Sequence, residues 1–264
     1  MIQASVELFT FELVFEYCEM SLGEFIKQRR FANFASAASV PGMHAAFTHQ
    51  VFEGVRFIHS HRIIHRDIKP ANVLMGRSEE PHFAAAHSAG FCLKIADFGL
   101  ARTLPAVGDD NTGAGNSAGN DTPLTGTVFT RWYRPLELFL GAPSYGTAAD
   151  VWSASCTCGE MCLGAPIFPG DTADAMIVKI LREVGMPSPS QWPALAEMPR
   201  FAQVMRAARS RLSPVGGCFV VLRKCASAIG DGDNGKYVAF LQATLAPVPS
   251  VRWTAAEVCA ADLR

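Results

Sequence analysis

The sequence predicts an α+β fold that is mostly helical and carries a small β-sheet element at its N-terminal end. The strand signal is the alternation of apolar side chains between Val6 and Tyr17, which has the period of a β-strand and is rich in aromatic residues. The helical signal is a set of apolar segments at 43–61, 147–164, 237–245 and 254–259. With 264 residues, 49% of them hydrophobic, the chain is long enough to bury one large core.

Charge and cysteine content indicate which partners, which cellular location and which role of the cysteines to expect. The formal net charge of −1 provides no bulk attraction to nucleic acid or an anionic membrane, so neither is expected as a partner. No signal peptide follows Met1 and no run of about 18 apolar residues exists, which predicts an intracellular protein of the nucleus or cytoplasm. Three of the eight cysteines lie in one apolar helical segment and are interpreted as reduced core thiols rather than metal ligands: Cys156, Cys158 and Cys162.

The most informative stretch is the octapeptide 65–72, His-Arg-Asp-Ile-Lys-Pro-Ala-Asn, which is followed downstream by Asp-Phe-Gly at 97–99. Together they supply what phosphoryl transfer requires: a group for the hydroxyl proton, a cation for the phosphate and oxygen ligands for Mg²⁺. This pattern resembles the catalytic core of eukaryotic protein kinases. The resemblance implies ATP and Mg²⁺ as cofactors and implies these catalytic residues: Asp67, Lys69, Asn72 and Asp97. Asn72 and Asp97 would hold the metal, and Lys69 two residues after Asp67 is typical of serine/threonine kinases.

The resemblance also divides the chain. Residues 1–19 correspond to the last strand of the N-lobe and the hinge, and residues 20–264 to the mostly helical C-lobe. Adenine would bind the backbone of Glu16 and Cys18, with Phe15 as the gatekeeper at the back of the pocket. The full set of ATP-binding residues that the resemblance implies is Phe15, Glu16, Cys18, Lys69, Asn72, Leu74, Ala96 and Asp97.

The sequence before the hinge is short for this family. Protein kinases place a Gly-rich loop, a strand lysine and a helix with its glutamate partner ahead of the hinge. About fourteen residues precede Phe15 here, which is too few to hold them. We therefore expect weak or no activity from the 264-residue chain, and poor solubility because the apolar faces of residues 8–15 would lack neighbours.

Two segments are longer than the family usually has. The first, 76–92, contains many Ser, Gly, Ala and His residues and predicts a flexible surface excursion. The second lies inside the activation segment, 97–137, where residues 107–123 are rich in Gly, Asn, Asp and Ser and predict a mobile insertion. Residues 199–233 match no recognisable part of the family.

The end of the activation segment, Thr-Arg-Trp-Tyr-Arg at 130–134, resembles that of cyclin-dependent and mitogen-activated kinases. This alignment makes Thr125 and Thr127 the candidate phosphosites. A phosphate on Thr125 would be anchored by Arg66 and Arg102, because a doubly charged phosphate pairs well with guanidinium groups.

Three further residues have structural roles by resemblance. Glu137, in Pro-Leu-Glu where the family has Ala-Pro-Glu, would pair with Arg252. Asp150 ends a Thr-Ala-Ala-Asp sequence that predicts a capping box at the start of a helix. In the family the same aspartate holds the backbone of the catalytic loop, and the two roles are compatible.

These features predict an ATP-dependent serine/threonine kinase of the cyclin-dependent kinase-like group. Arg134 and the Val128-Phe129 turn match the part of the family that prefers proline after the phosphorylated residue, so substrates with Ser/Thr-Pro sites are expected. The resemblance also implies a cyclin or another activating subunit as a partner. The alternatives are an inactive pseudokinase that binds proteins, favoured by the short N-terminal part and the altered Ala-Pro-Glu, and a relative of the mitogen-activated kinases.

Overall fold

The computed structural model describes residues 3–7, 10–31, 42–77, 90–104, 131–142, 145–208, 217–229 and 234–261. The strands are β1 Gln3–Glu7, β2 Thr10–Val14, β3 Met20–Ser21, β4 Ile63–Ile64, β5 Val73–Arg77, β6 Phe91–Ile95 and β7 Arg102–Thr103. The helices are α1 Leu22–Phe31, α2 Met43–Ser60, α3 Leu136–Leu140, α4 Ala148–Leu163, α5 Ala173–Val184, α6 Phe201–Ala208, α7 Val220–Ile229, α8 Asn234–Thr244 and α9 Ala255–Ala260. The predicted α+β class, with helices predominating, is confirmed.

The N-terminal strand signal covers two strands rather than one. β1 and β2 pair antiparallel with Gln3 opposite Val14 and Glu7 opposite Thr10, so only two residues connect them. The prediction of a single strand from Val6 to Tyr17 is therefore wrong. A two-residue connection barely interrupts an alternating apolar pattern, so the reversal left no clear mark in the sequence.

The expected surface excursion at 76–92 is also partly wrong. β5 and β6 form an antiparallel hairpin whose register runs from Val73 opposite Ile95 to Arg77 opposite Phe91, and β3 pairs on the other edge of β5. The ends of the segment are thus strands, because backbone pairing outweighs its small polar residues. Residues 78–89 and the predicted mobile insertion 107–123 lie outside the described residues.

The core is built around α4. Its Trp152 is fully buried and stacks on Phe168 with ring centroids 5.8 Å apart. α2 packs against α4 and α9, and α7 packs against α4 and α8. Cys156 and Cys158 are buried on α4 as free thiols, and burial raises the pKa of Cys158 to about 12. In the part of the chain that the structure describes, no helix is both long and apolar enough to span a membrane.

Parts of the unmatched region 199–233 also have regular structure. α6 and α7 lie within it, and Val204 and Leu222 are buried in the core. The proposed division of the chain at residue 19 stays a prediction.

Candidate functional site

The strand pairing brings the two motif loops together. β4 pairs with β7, placing Ile63 opposite Thr103, while β5 pairs with β6, placing Val73 opposite Ile95. The β4–β5 connection carries residues 65–72, and the β6–β7 connection carries residues 96–101. Because their flanking strands are paired, the two connections lie side by side.

A tight polar cluster occupies the first loop. The Asp67 carboxylate is buried, with 9% of the residue exposed. Its Oδ2 accepts hydrogen bonds from Lys69 Nζ at 2.6 Å and from Asn72 Nδ2 at 3.0 Å. Asn72 Nδ2 also donates to the backbone oxygen of Asp67 at 2.9 Å. The carboxylate is therefore held in one orientation beside a cation, as the predicted catalytic set requires.

The two predicted metal ligands are neighbours. Ala96 N donates to the backbone oxygen of Asn72 at 2.9 Å, which places Asp97 next to the catalytic loop. Since the Asn72 amide nitrogen is used by Asp67, its oxygen is the atom that Asn72 can offer a cation. Asp97 is exposed, and its Oδ1 accepts from Gly99 N at 3.3 Å. An amide oxygen and a carboxylate suit Mg²⁺, which usually takes one or two protein ligands and completes its shell with phosphates and water.

The backbone at Asp97 is strained in a way that fits this site. Asp97 has φ of 64°, in the left-handed region that non-glycine residues rarely adopt. The neighbouring residues hold it there: His65 Nε2 lies 3.0 Å from the backbone oxygen of Ala96, and the His65 ring packs edge-on against Phe98 at 4.8 Å. The two motifs thus support each other's conformation.

Asp150 anchors the catalytic loop from α4. Its Oδ2 accepts from His65 N and its Oδ1 from Arg66 N, both at 2.8 Å. The predicted capping box is wrong, because Thr147 has helical dihedral angles and makes no side-chain capping hydrogen bond within the described residues. Both Asp150 oxygens bind the loop instead of the helix end.

The candidate phosphate anchors are only partly described. Arg66 donates through Nε to the backbone oxygen of Leu100 and through Nη1 to the Tyr145 hydroxyl at 2.9 Å. Arg102 lies on β7 opposite Ile64. Thr125 and Thr127 lie outside the described residues, so their distance from these arginines stays a prediction.

Three arginines lie close together near the end of the activation segment: Arg131, Arg134 and Arg200. Burial lowers the pKa of Arg134, and the nearby Arg131 and Arg200 lower it further. Arg131 Nη1 donates to the backbone oxygen of Asp171 at 3.0 Å, and Trp132 Nε1 donates to that of Gly170 at 3.2 Å. These bonds attach the 131–134 turn to the loop before α5.

The residues predicted to bind adenine lie at the end of β2, in the hinge and on the β5–β6 hairpin. Phe15 follows the end of β2 and is 62% exposed, and its role as gatekeeper stays a prediction. Glu16 is held by Lys94, whose Nζ lies 2.6 Å from both carboxylate oxygens, and this contact raises the Lys94 pKa. Cys18 is half-buried beside Gly76, and Leu74 faces Lys94 across the hairpin.

The predicted ion pair between Glu137 and Arg252 is formed. Arg252 Nη1 and Nη2 lie 2.9 and 3.1 Å from the two Glu137 oxygens, and both residues are buried. Arg252 also donates to the backbone oxygens of Ala148 and Ala246 and lies over the Trp152 ring at 5.0 Å. This set of contacts ties the start of α3 to the start of α4.

Sequence reasoning missed two side chains that contact the predicted site residues. Lys94 binds Glu16 although 78 positions separate them. His59 Nε2 lies 3.0 Å from Asp150 Oδ2. The only sequence signal for His59 was its place in the last turn of a helix that leads into the catalytic loop.

The chain matches the family model described as "Protein kinase domain" over residues 2–263. It is 34% identical over 194 residues to proteins named cyclin-dependent kinase 20 from Rattus norvegicus and Mus musculus. The match covers 74% of this chain and 47% of each relative, so the chain spans about half the length of the curated relatives it matches.

A similar fold has been solved. A chain in the crystal structure of the yeast RNA Pol II CTD kinase CTDK-1 complex superposes with a TM-score of 0.71 and is 26% identical in sequence. The superposition covers 97% of this chain and 72% of that one.

Proposed function

The chain belongs to the family defined by the protein kinase domain, and on that premise we propose that it transfers the γ-phosphate of ATP to serine or threonine hydroxyls of proteins. The observation that carries this proposal is the contact of Asp67 with Lys69 and Asn72, beside Asp97. The similarity to proteins named cyclin-dependent kinase 20 supports placement in the cyclin-dependent kinase-like group.

Each residue of the cluster has a part in the proposed reaction. Asp67 Oδ2 would orient the substrate hydroxyl and accept its proton, while Lys69 Nζ would turn to the γ-phosphate. Asn72 Oδ1 and Asp97 would hold Mg²⁺, which when bound neutralises phosphate charge. The Asp150 contacts keep the backbone of His65 and Arg66 in place. The catalytic side chains that follow in the same loop therefore need little reorganisation during the reaction.

Adenine would lie on Leu74 and Ala96, with its ring edge on the backbone of Glu16 and Cys18. The Glu16–Lys94 ion pair supports this placement because it fixes the hinge against the β5–β6 hairpin. Because Phe15 is exposed, the rear of the proposed adenine site would be open and transfer should be slow. Of the weak or absent activity expected from the sequence, the intact contacts of Asp67 with Lys69 and Asn72 favour the former, so we expect slow but measurable transfer.

Regulation by an added phosphate and by a partner belongs to the same proposal. Phosphorylated Thr125 would compete with Tyr145 and the Leu100 carbonyl for Arg66, and would also meet Arg102. The relatives' name, cyclin-dependent kinase, supports a cyclin or similar activating subunit as partner. Free thiols on α4 fit a nuclear or cytoplasmic location.

A second candidate function is a protein-binding module without catalysis. It is favoured by a row of exposed apolar and aromatic residues at the end of β2 and in the hinge: Leu13, Val14, Phe15 and Tyr17. Such a patch marks an interaction surface in many proteins. Transfer of phosphate separates the two candidates, since only the first requires it.

The proposed substrate class can be tested with paired peptides. Arg134 lies 5.5 Å from the Phe139 ring, on the turn that would meet the residue after the phosphorylated one. We expect transfer from γ-labelled ATP to Ser-Pro peptides to be about tenfold faster than to matched Ser-Ala peptides, the size of one lost substrate contact. A peptide with Ala in place of Ser is the blank. Equal rates for the two peptides would contradict the proline preference, and no labelling of either would contradict the kinase proposal.

A further inference from the structure

We propose that Cys18 in the hinge and Cys92 on β6 form a reversible disulfide that ties the hinge to the β5–β6 hairpin. The oxidant is a low-molecular-weight disulfide such as glutathione disulfide. All eight cysteines of the chain are free thiols in the structure, so the structure shows the reduced form of this pair. Neither thiol has a part in phosphoryl transfer, and formation of the bond therefore does not depend on the proposed function.

Gly76 is the residue that lets the two thiols meet. It lies directly opposite Cys92 in the antiparallel β5–β6 pair. Residues paired in this way have Cα atoms about 4.5–5.5 Å apart and side chains on the same face of the sheet. A Cβ placed on Gly76 would lie 3.6 Å from Cys18 Sγ. The Cys18 sulfur therefore reaches the face from which Cys92 projects, at the position where Gly76 has no side chain to separate them.

Contacts on both sides of Cys18 hold the hinge against the hairpin. On one side, Lys94 Nζ on β6 lies 2.6 Å from both carboxylate oxygens of Glu16. On the other side, Glu19 N donates a hydrogen bond to the backbone oxygen of Met75 on β5 at 3.0 Å. The residues flanking Cys18 are thus attached to both strands of the hairpin. We expect the bond to need rotation of two side chains rather than movement of the hinge.

The two thiols differ in access to solvent. Cys18 is half-buried, whereas Cys92 is only 7% exposed. Burial raises the pKa of both thiols and the Glu16 carboxylate raises it further, while the ammonium group of Lys94 lowers it. Cys18 is therefore the thiol that a dissolved oxidant meets first. Among the described residues no group of three or more His, Cys, Asp or Glu side chains could hold a metal ion, so the pair is suited to oxidation rather than to metal binding.

The reaction proceeds in two exchange steps. The Cys18 thiolate attacks one sulfur of glutathione disulfide, whose S–S bond breaks and releases one glutathione thiolate. The Cys92 thiolate then attacks the Cys18 sulfur of the mixed disulfide and releases the second glutathione. The protein gives up two thiol protons to the two released thiolates, so its two thiols are oxidised and glutathione disulfide is reduced. In a reducing compartment such a bond is transient, which is the behaviour of a redox sensor.

Peptide mapping tests the pairing directly. The folded 264-residue chain is equilibrated in glutathione buffers, its remaining thiols are blocked with N-ethylmaleimide, and its peptides are identified by mass spectrometry. We expect a Cys18–Cys92 linked peptide in oxidising buffer, which disappears in excess reduced glutathione. Cys218→Ser is the matched control, because Cys218 is exposed and donates through Sγ to the backbone oxygen of Arg182; this variant should form the bond as the wild type does. Unmodified thiols at both positions in oxidising buffer would overturn the proposal.

Two variants test the role of proximity. In Cys92→Ser the mixed disulfide of Cys18 with glutathione should accumulate at least about tenfold more than in the wild type, because no neighbouring thiol displaces it. Gly76→Val keeps both thiols but places a branched side chain between them, and should slow bond formation at least about tenfold. If Gly76→Val fails to fold, Cys92→Ser decides the outcome. Equal accumulation in Cys92→Ser and wild type, or an undiminished rate in folded Gly76→Val, would overturn the proposal.

Discussion

Replacing Asp97 by Asn is expected to reduce phosphoryl transfer by about 10³-fold or more, because it removes the carboxylate that we propose binds Mg²⁺ together with Asn72. Asn has nearly the same shape as Asp and tolerates the left-handed backbone found at this position, so the fold should survive. Initial rates with labelled ATP, at several Mg²⁺ concentrations, measure the effect.

The control for this substitution is Asp174→Asn. Asp174 is a partly exposed carboxylate outside the catalytic loop, and its Oδ1 lies 3.1 Å from Arg200 Nη2. Ion pairs as exposed as this one contribute little to stability. The rate of phosphoryl transfer by Asp174→Asn should equal that of the wild-type protein. If Asp97→Asn transfers phosphate as fast as Asp174→Asn, Asp97 is not a metal ligand.

Replacing Arg252 by Met should destabilise the fold by about 3–5 kcal/mol. The substitution leaves the Glu137 carboxylate, which is 3% exposed, without its cation, and a buried unpaired charge is among the most costly defects in a protein. It also removes the donors to the Ala148 and Ala246 carbonyls. Denaturant unfolding followed by circular dichroism measures the loss.

The stability of Arg252→Met is compared with that of two other variants. Arg56→Met breaks a partly exposed pair with Glu53 and should cost less than about 1 kcal/mol. The double variant Glu137→Met with Arg252→Met should recover much of the loss, because no unpaired charge remains buried. Equal costs for Arg252→Met and Arg56→Met would mean that the buried pair does not stabilise the protein.

The sequence predicted the candidate site well because its chemistry is local. Asp67, Lys69 and Asn72 lie within six positions, so one loop conformation brings them together. The pairing of Glu137 with Arg252 spans 115 positions and was accessible only through the family resemblance. Helix α4 could be predicted from its apolar pattern, and its central place in the core follows from that pattern.

Other features depended on contacts that no local pattern encodes. The same position of Asp150 allows a helix cap or a loop anchor, and only the approach of the catalytic loop decides between them. Lys94 contacts Glu16 because the β5–β6 hairpin packs beside the hinge in the folded chain. Phe15 belongs to an aromatic strand pattern, yet its exposure depends on neighbours that the pattern does not specify.

Transfer of labelled γ-phosphate to a Ser-Pro peptide, measured for the 264-residue chain and for its Asp67→Asn variant, tests the proposed kinase function. Both proteins should first be shown to have the same unfolding midpoint. We expect slow labelling by the wild-type chain, dependent on Mg²⁺, and a loss of about 10³-fold or more in the variant. Equal labelling by both proteins, or none by a folded wild-type chain, would contradict the proposed kinase function and favour the protein-binding module.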